Sequence, residues 1–523
     1  MQFTPTSHTT QHWRLAKPAA TGRRGMVVSQ CKNASEAGIA VLDAGGNAID
    51  AAVATALALA AVEPWNSGLG GVGHALVHRA GQERAETVDF GPTAPAALAA
   101  SRFKLTGRIA ADLFAWPEVE NDANIHGPLS FVIPSAVAGL AEMHGRWGRL
   151  PLAEIAAPSV ALAKRGLPQD WYTTLKVAVS APVLRNYQES ARIYLRDGLP
   201  PVPPYQGALN YFRLGKLSET LERLARAGWH DFYRGEIAAS LVADVRAMGG
   251  VLSSDDLRTC QVRVLAAREL PWRQHTLQTT GPLTAAPTAA DVMALLAGAK
   301  RAEQPDAPWY VTLARALKAA YARRLSTLGD AEPQAAESCT THLSTCDADG
   351  SMVAITTTLL SSMGSRVVLP STGILMNNGV MWFDPRPGQP NSIAPGKRPL
   401  TNMFPVILRN CDKPWIVAGA SGGRRIMAAV LQLLSFVADF GMSPEAAADA
   451  PRIDVSGPDK VTADARLAPD ILEALLADGD TEIVERGVLP INFACPSLLL
   501  QQGGACIGIS DAASPWSAAL AQA

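Results

Sequence analysis

A threonine-rich stretch past the middle of the chain carries residue types suited to acyl chemistry. Thr340, Thr341 and His342 open the run Thr-Thr-His-Leu-Ser-Thr-Cys-Asp-Ala-Asp-Gly-Ser-Met-Val-Ala-Ile-Thr-Thr-Thr, which ends at Thr358. β-Branched and apolar residues flank Asp347-Ala348-Asp349-Gly350, the pattern of two strands joined by a tight reversal. A hairpin folded there returns Thr356 to Thr358 beside Thr340. A hydroxyl is a weak nucleophile unless a base adjoins it, and the nearest base for a threonine is its own α-amino group once the chain is cut before it. Threonine is also a favoured strand residue, so the same stretch reads as an ordinary hairpin too.

Two glycine clusters bear on the choice. Ala418-Gly419-Ala420-Ser421-Gly422-Gly423 comes just before the helical pattern from about Arg424 to Phe440. Amide N–H groups at a helix start stabilise negative charge, so this loop suits an oxyanion hole, or is a plain strand-to-helix connection. Gly68-Leu69-Gly70-Gly71-Val72-Gly73 matches the dinucleotide fingerprint by letters. That fingerprint needs a strand before it and a helix after it. Here Pro64-Trp65-Asn66-Ser67 precedes and the strand-like His74 to His78 follows, so no nucleotide cofactor is expected.

The elements that must hold these residues read as mixed α and β. Residues from about Gly25 to Val77 alternate strand, helix, loop and strand, with Gly45-Gly46-Asn47 breaking a helical pattern before the alanine-rich Ala48 to Ala61. About Leu150 to Leu257 is mainly helical, with apolar residues at three- and four-residue spacing. Short strands and turns follow Thr340. Polar, small residues from Asp330 to Ser338 suit an exposed connector ahead of Thr340, where a chain could be cut.

The 523 residues, 48% hydrophobic and 18% charged with a net charge of -1, fit a soluble globular protein with no bias toward nucleic acid or anionic membrane. The longest apolar stretch, Ala51 to Val62, is too short to span a bilayer and reads as a buried helix. Met1 to Gly25 contains no apolar run resembling a signal-peptide core. Seven cysteines are scattered without CxxC or Cys/His ligand spacing, so neither a disulfide framework nor a metal site is indicated, and a cytoplasmic setting is expected.

The order of further motifs resembles the gamma-glutamyltransferase family. Gly25-Met26-Val27-Val28, Gly45-Gly46-Asn47-Ala48-Ile49-Asp50-Ala51-Ala52, Val62-Glu63-Pro64 and Ser67-Gly68-Leu69-Gly70-Gly71 are similar to its large-subunit half. So are Phe232-Tyr233-Arg234-Gly235, Gly249-Gly250 and Asp256-Leu257 further on. Thr340-Thr341-His342, Gly373-Ile374-Leu375-Met376-Asn377-Asn378, Lys397-Arg398-Pro399-Leu400 and Gly422-Gly423 continue the series, which runs from about residue 25 to about residue 512. The resemblance implies an α+β N-terminal nucleophile hydrolase, a four-layer αββα sandwich made as a precursor and cleaved into two associated subunits. Residues 1–24 would be a flexible segment, 25–339 the large subunit and 340–523 the small one, with a homodimer of these heterodimers as a further assembly. Cleavage falls between Cys339 and Thr340. Thr340 is the implied nucleophile, Thr358 its hydrogen-bond partner, and Gly422 and Gly423 the oxyanion donors. The implied partners are a small-molecule amide and water or an amine acceptor, with no cofactor.

The substrate positions depart from the family. An Asp-Phe-Arg-Glu type segment supplies an arginine for the α-carboxylate of a γ-glutamyl group, whereas this chain reads Asp89-Phe90-Gly91-Pro92. Leu360 stands where an asparagine is usual, and Gly379 and Trp382 replace a glutamine and an acidic residue. Thr401 and Asn402 keep polar side chains at carboxylate positions. Gly281-Pro282-Leu283-Thr284-Ala285-Ala286-Pro287 replaces a Pro-Pro-Ser-Ser-Gly-Gly type loop. Arg398, Arg424 or Arg425 would have to provide the missing cation from another direction. The expected branch is therefore near oxamate amidohydrolases and cephalosporin acylases. The alternatives are a true gamma-glutamyltransferase with rearranged carboxylate binding, or an uncleaved binding protein. His342 is expected to support the hairpin.

Overall fold

The computed structural model describes residues 15–110, 114, 116–299, 302–328, 338–411, 413–457, 459–489 and 491–523. Its central strands are β1 (Ala20–Gly22), β2 (Met26–Ser29), β3 (Val72–His78), β4 (Glu86–Phe90), β5 (Arg263–Ala266), β6 (Arg268–Trp272), β7 (His275–Thr279), β8 (Ser338–Cys346), β9 (Met352–Ser361), β10 (Val406–Asn410), β11 (Lys413–Ser421), β12 (Cys495–Gln502), β13 (Ala505–Ser510) and β14 (Ala518–Ala521). They form two seven-stranded antiparallel sheets. One runs β1-β13-β12-β11-β10-β7-β6 and the other β14-β2-β8-β9-β3-β4-β5. The helices that cover them include α1 (Lys32–Asp43), α2 (Ala48–Val62), α3 (Leu152–Arg165), α4 (Ala307–Leu328) and α5 (Arg425–Ala438).

Period-two alternation sorts the side chains of each sheet onto two faces. Met26, Val28, Leu76, Cys346, Met352 and Ala354 of one sheet meet Ile407, Val417, Leu499 and Cys506 of the other in a shared core. Their neighbours point the opposite way. Leu343, Val353 and Ile355 pack with Val53 and Leu57 of α2, and Leu408, Ile416, Ala418 and Leu498 pack with Ile426, Val430 and Leu434 of α5.

Helix α2 starts where the glycine break predicts. Asn47 Oδ1 accepts from the backbone N–H groups of Ile49 and Asp50, both at 3.0 Å, while Asp50 returns a bond to the Asn47 N–H. This reciprocal cap satisfies amides that a helix start leaves orphaned. All fifteen residues of α2 are buried, as expected for a helix apolar on every side that lies between a sheet and other helices. Gly68 to Gly71 lead into β3 and not into a helix, in keeping with the rejected dinucleotide reading.

Residues 1–14 and 329–337 lie outside the described residues, and with them most of the expected N-terminal segment and connector. The expectation of flexibility up to residue 24 is corrected over its last part. Ala20–Gly22 pairs antiparallel with β13, and Lys17 Nζ donates to the carbonyl of Ser517 at 2.7 Å. Backbone pairing and this anchor hold the segment on the edge of the sheet. Among the described residues no helix is long and apolar enough to cross a membrane.

Candidate active site

The hairpin β8–β9 is not regular at the end that carries Thr340. From Cys346 opposite Met352 the ladder keeps one register up to Thr341 opposite Thr357, but beyond it Cys339 pairs with Leu360. Thr340 therefore faces two residues, Thr358 and Leu359, in a β-bulge, a feature that re-aims side chains at sheet ends. Leu360 closes the bulge with φ at 87°, a left-handed conformation that costs a branched residue energy. Thr340 Oγ1 lies 3.4 Å from Thr358 Oγ1, and Thr358 Oγ1 accepts the Leu360 N–H at 2.8 Å. The structure thus brings Thr340 and Thr358 together.

Alternation along β8 places its residues on two sides of the sheet. His342 and Cys346 face the other sheet, as does Thr340 by the same spacing, while Thr341, Leu343 and Thr345 face α2. Thr341 Oγ1 donates to Glu63 Oε2 at 2.7 Å, and Glu63 Oε1 accepts from Asn66 Nδ2, also at 2.7 Å. Gln30 Oε1 sits 3.4 Å from both Thr341 Oγ1 and Asn66 Nδ2. Burial pushes the Glu63 carboxyl up to about 7, against the opposing pull of the Thr341 bond, Lys176 and Asn66. His342 is enclosed by its own sheet, with Nδ1 2.9 Å from Thr356 Oγ1 and Nε2 3.1 Å from Ser344 Oγ. Burial lowers its pKa to about 3, so it is a neutral strut in the hairpin, as expected.

The glycine pair arrives from the facing sheet. β11 ends at Ser421, Gly422 and Gly423 take φ values of 137° and 58°, and α5 begins at Arg425. Gln30 Nε2 donates to Ser421 Oγ, so one side chain connects the residue after Thr340 with the residue before Gly422. The sheets also close on each other here. A Cβ on Gly419 would fall 2.2 Å from His342 Nδ1, so only glycine lets β11 approach β8 this closely.

Leu360 and Trp382 join Phe114, Met381 and Met403 in one apolar cluster. The three candidate arginines point to different duties. Arg398 makes a bidentate pair with Asp89, with Nη1 to Oδ2 at 2.8 Å, and occupies the space beside Gly91, where a Cβ would lie 2.6 Å from its Nη2. Arg425 Nη1 donates to the carbonyl of Ile491, and the Arg424 guanidinium lies over the Phe114 ring, 5.3 Å from its centre. Thr401 Oγ1 donates to the Leu283 carbonyl at 3.0 Å, and Asn402 Oδ1 accepts from the buried Arg324 at 2.9 Å. Thr401 and Asn402 are therefore tied, through Leu283 and Arg324, to the loop that departs from the family pattern. The Cys339 backbone lies in β8, paired with Leu360.

Sequence reasoning passed over Gln30, Asn66, Ser421 and the role of Glu63. One signal was available: Glu63 is an acid placed directly after fifteen residues with no exposed position, and such a group must find buried partners.

Comparisons with known proteins bear on the family and the fold. The profile described as Gamma-glutamyltranspeptidase matches residues 34–338 and 331–512. A glutathione hydrolase proenzyme of Escherichia coli (strain K12) is 27% identical over 94% of this chain and 90% of its own length. The Acylase ACY 1 proenzyme of Pseudomonas sp. (strain V22) is 30% identical over 88% of each. The crystal structure of a cephalosporin acylase from Bacillus halodurans superposes with a TM-score of 0.83 at 24% identity, covering 100% of this chain and 99% of that one.

Proposed function

The chain belongs to the gamma-glutamyltranspeptidase family, and from that premise we propose that it is a self-processing amidohydrolase or acyltransferase whose nucleophile is Thr340. In processing, Thr340 Oγ1 attacks the carbonyl carbon of Cys339 and the peptide nitrogen departs as the Thr340 amine. Water then opens the ester, leaving a carboxylate on Cys339. The new α-amino group, with an ordinary pKa of about 7.7 to 8.0, accepts the hydroxyl proton near neutral pH. In the working cycle Oγ1 adds to an amide carbonyl, and the N–H groups of Gly422 and Gly423 hold the oxyanion. Collapse expels the amine with the proton taken from Oγ1, and water or a second amine removes the acyl group. On this reading the two facing sheets and their outer helices are the four-layer αββα sandwich, with 25–339 as the body of the large fragment, which keeps the N-terminal segment, and 340–523 as the small one.

The observation that carries the proposal is the bulge, which sets Thr340 opposite Thr358 and Leu359 at the end of the hairpin. The acyl group we assign is not γ-glutamyl. Its α-ammonium and α-carboxylate would be desolvated near Leu360 and Trp382 while Arg398 is committed to Asp89, a cost of roughly several kcal/mol. A less polar acyl group of the kind removed by acylases fits that wall better.

Denaturing electrophoresis with N-terminal sequencing tests the first claim. Two fragments, the smaller beginning at Thr340, are expected; a chain that stays whole for days would leave the binding-protein reading in its place. A panel of γ-glutamyl anilide, oxamate and a glutaryl or adipyl cephalosporin tests the second. Rapid turnover of the γ-glutamyl compound would overturn the substrate class without touching Thr340.

A further inference from the structure

Cys346 ends β8 at the pole opposite Thr340, and Cys506 lies in β13 of the facing sheet. Each is fixed by its own ladder, Cys346 opposite Met26 and Met352, Cys506 opposite Gly22 and Gln501. Their side chains meet across the shared core with the two Sγ atoms 3.0 Å apart, closer than the roughly 3.5–4.0 Å at which even carbon atoms rest. Both are free thiols. Cys346 is enclosed, whereas Cys506 lines a cleft of about 820 Å3 that opens between the hairpin turns at this pole. The rim sets Arg23, Arg24 and Lys413 against Glu83, Asp347 and Asp349, so it favours neither sign of charge.

We propose that Cys346 and Cys506 are a redox-active dithiol, converted by low-molecular-weight disulfides entering this cleft into a bond between the two sheets. Cys506 attacks one sulfur of the small disulfide, whose S–S bond breaks to release one thiol and leave a mixed disulfide on Cys506. Cys346 then loses its proton, attacks Cys506 Sγ and expels the second thiol. Two protein thiols are oxidised and one small disulfide is reduced to two thiols, so no other oxidant is needed. The order follows from access, since Cys506 borders the cleft and Cys346 lies behind it. The hydrogen bond between them acts in the same sense: it raises the Cys346 thiol, helped by burial, and lowers Cys506.

The test uses the full chain carrying Cys411→Ser, which removes the exposed cysteine among those described. After incubation with oxidised glutathione, peptide mass spectrometry should find Cys346 joined to Cys506 with the loss of two hydrogens, reversed by a reductant. In a Cys346→Ala background a stable glutathione adduct should accumulate on Cys506, because nothing resolves it. In Cys506→Ala, Cys346 should stay unmodified. Recovery of both thiols fully alkylatable after oxidation and unfolding would overturn the proposal, as would an adduct forming first on Cys346.

Discussion

Thr341 Oγ1 donates a hydrogen bond to Glu63 Oε2 at 2.7 Å, joining the strand that carries Thr340 to the end of helix α2. The carboxylate has no solvent, and its neighbours Gln30, Asn66 and Ser421 form a polar seam through an otherwise apolar layer. That seam sets the first expectation.

Glu63 should make stability depend on pH. Its folded value of about 7 lies above the ordinary 4.5, so the fold favours the neutral acid. The contribution is complete below about 4.5 and is lost as pH rises through about 7, a loss of at most about 3 kcal/mol. Denaturant midpoints between these pH values should fall for the parent protein and flatten in Glu63→Gln. A variant that keeps the parental slope would assign the titration elsewhere.

Thr358→Ala should slow both chain cleavage and turnover by about ten- to a hundredfold, the effect of removing one buried hydroxyl partner. Thr358→Ser should recover most of the rate. Time courses of fragment appearance measure the first step and steady-state kinetics the second. Equal rates in all three proteins would separate Thr358 from the chemistry.

Gly91→Ala should destabilise the protein by about 1–3 kcal/mol, because its Cβ meets Arg398 Nη2 at 2.6 Å and the side chain must shift off Asp89. In an Arg398→Ala background the same change should cost much less. Thermal melts of the four proteins complete this cycle, and additive losses would show that the two positions are independent.

Leu360→Asn should shift selectivity more than stability. Asparagine accepts a φ of 87° better than leucine, which offsets part of the lost apolar contact in the cluster with Trp382. Turnover of an apolar acyl amide should show KM raised about tenfold with kcat little changed, the signature of lost ground-state contact. An unchanged KM would place Leu360 away from the acyl group.

Local features of this chain are readable from its residues. Asp347 to Gly350 marks the hairpin turn, Asn47 the start of α2, and Gly422-Gly423 the step from strand to helix, because each depends on neighbours within a few positions. The bulge is different. Nothing in Thr356 to Leu360 says that Thr340 will face two residues, since that follows from where two ladders with different registers meet. Gln30 and Ser421 are 391 positions apart, and Arg398 and Asp89 are 309 apart. Such pairs exist only once the sheets have stacked. The missing arginine at Gly91 pointed to Arg398, Arg424 or Arg425 without choosing among them, and only the stacked sheets put Arg398 in the space beside Gly91.

The order of strands has a consequence for a chain opened before Thr340. In one sheet β8 and β9 sit between β2 and β3, and in the other β10 to β13 sit between β1 and β7. Each sheet is thus woven from both sides of the Cys339–Thr340 bond, so within each sheet the seams between the pieces are backbone ladders, and helix packing joins them further. Two pieces of this kind should not come apart on dilution as docked subunits do. They should melt together in one transition whose midpoint rises with protein concentration, because unfolding separates two chains, and neither should fold when made alone.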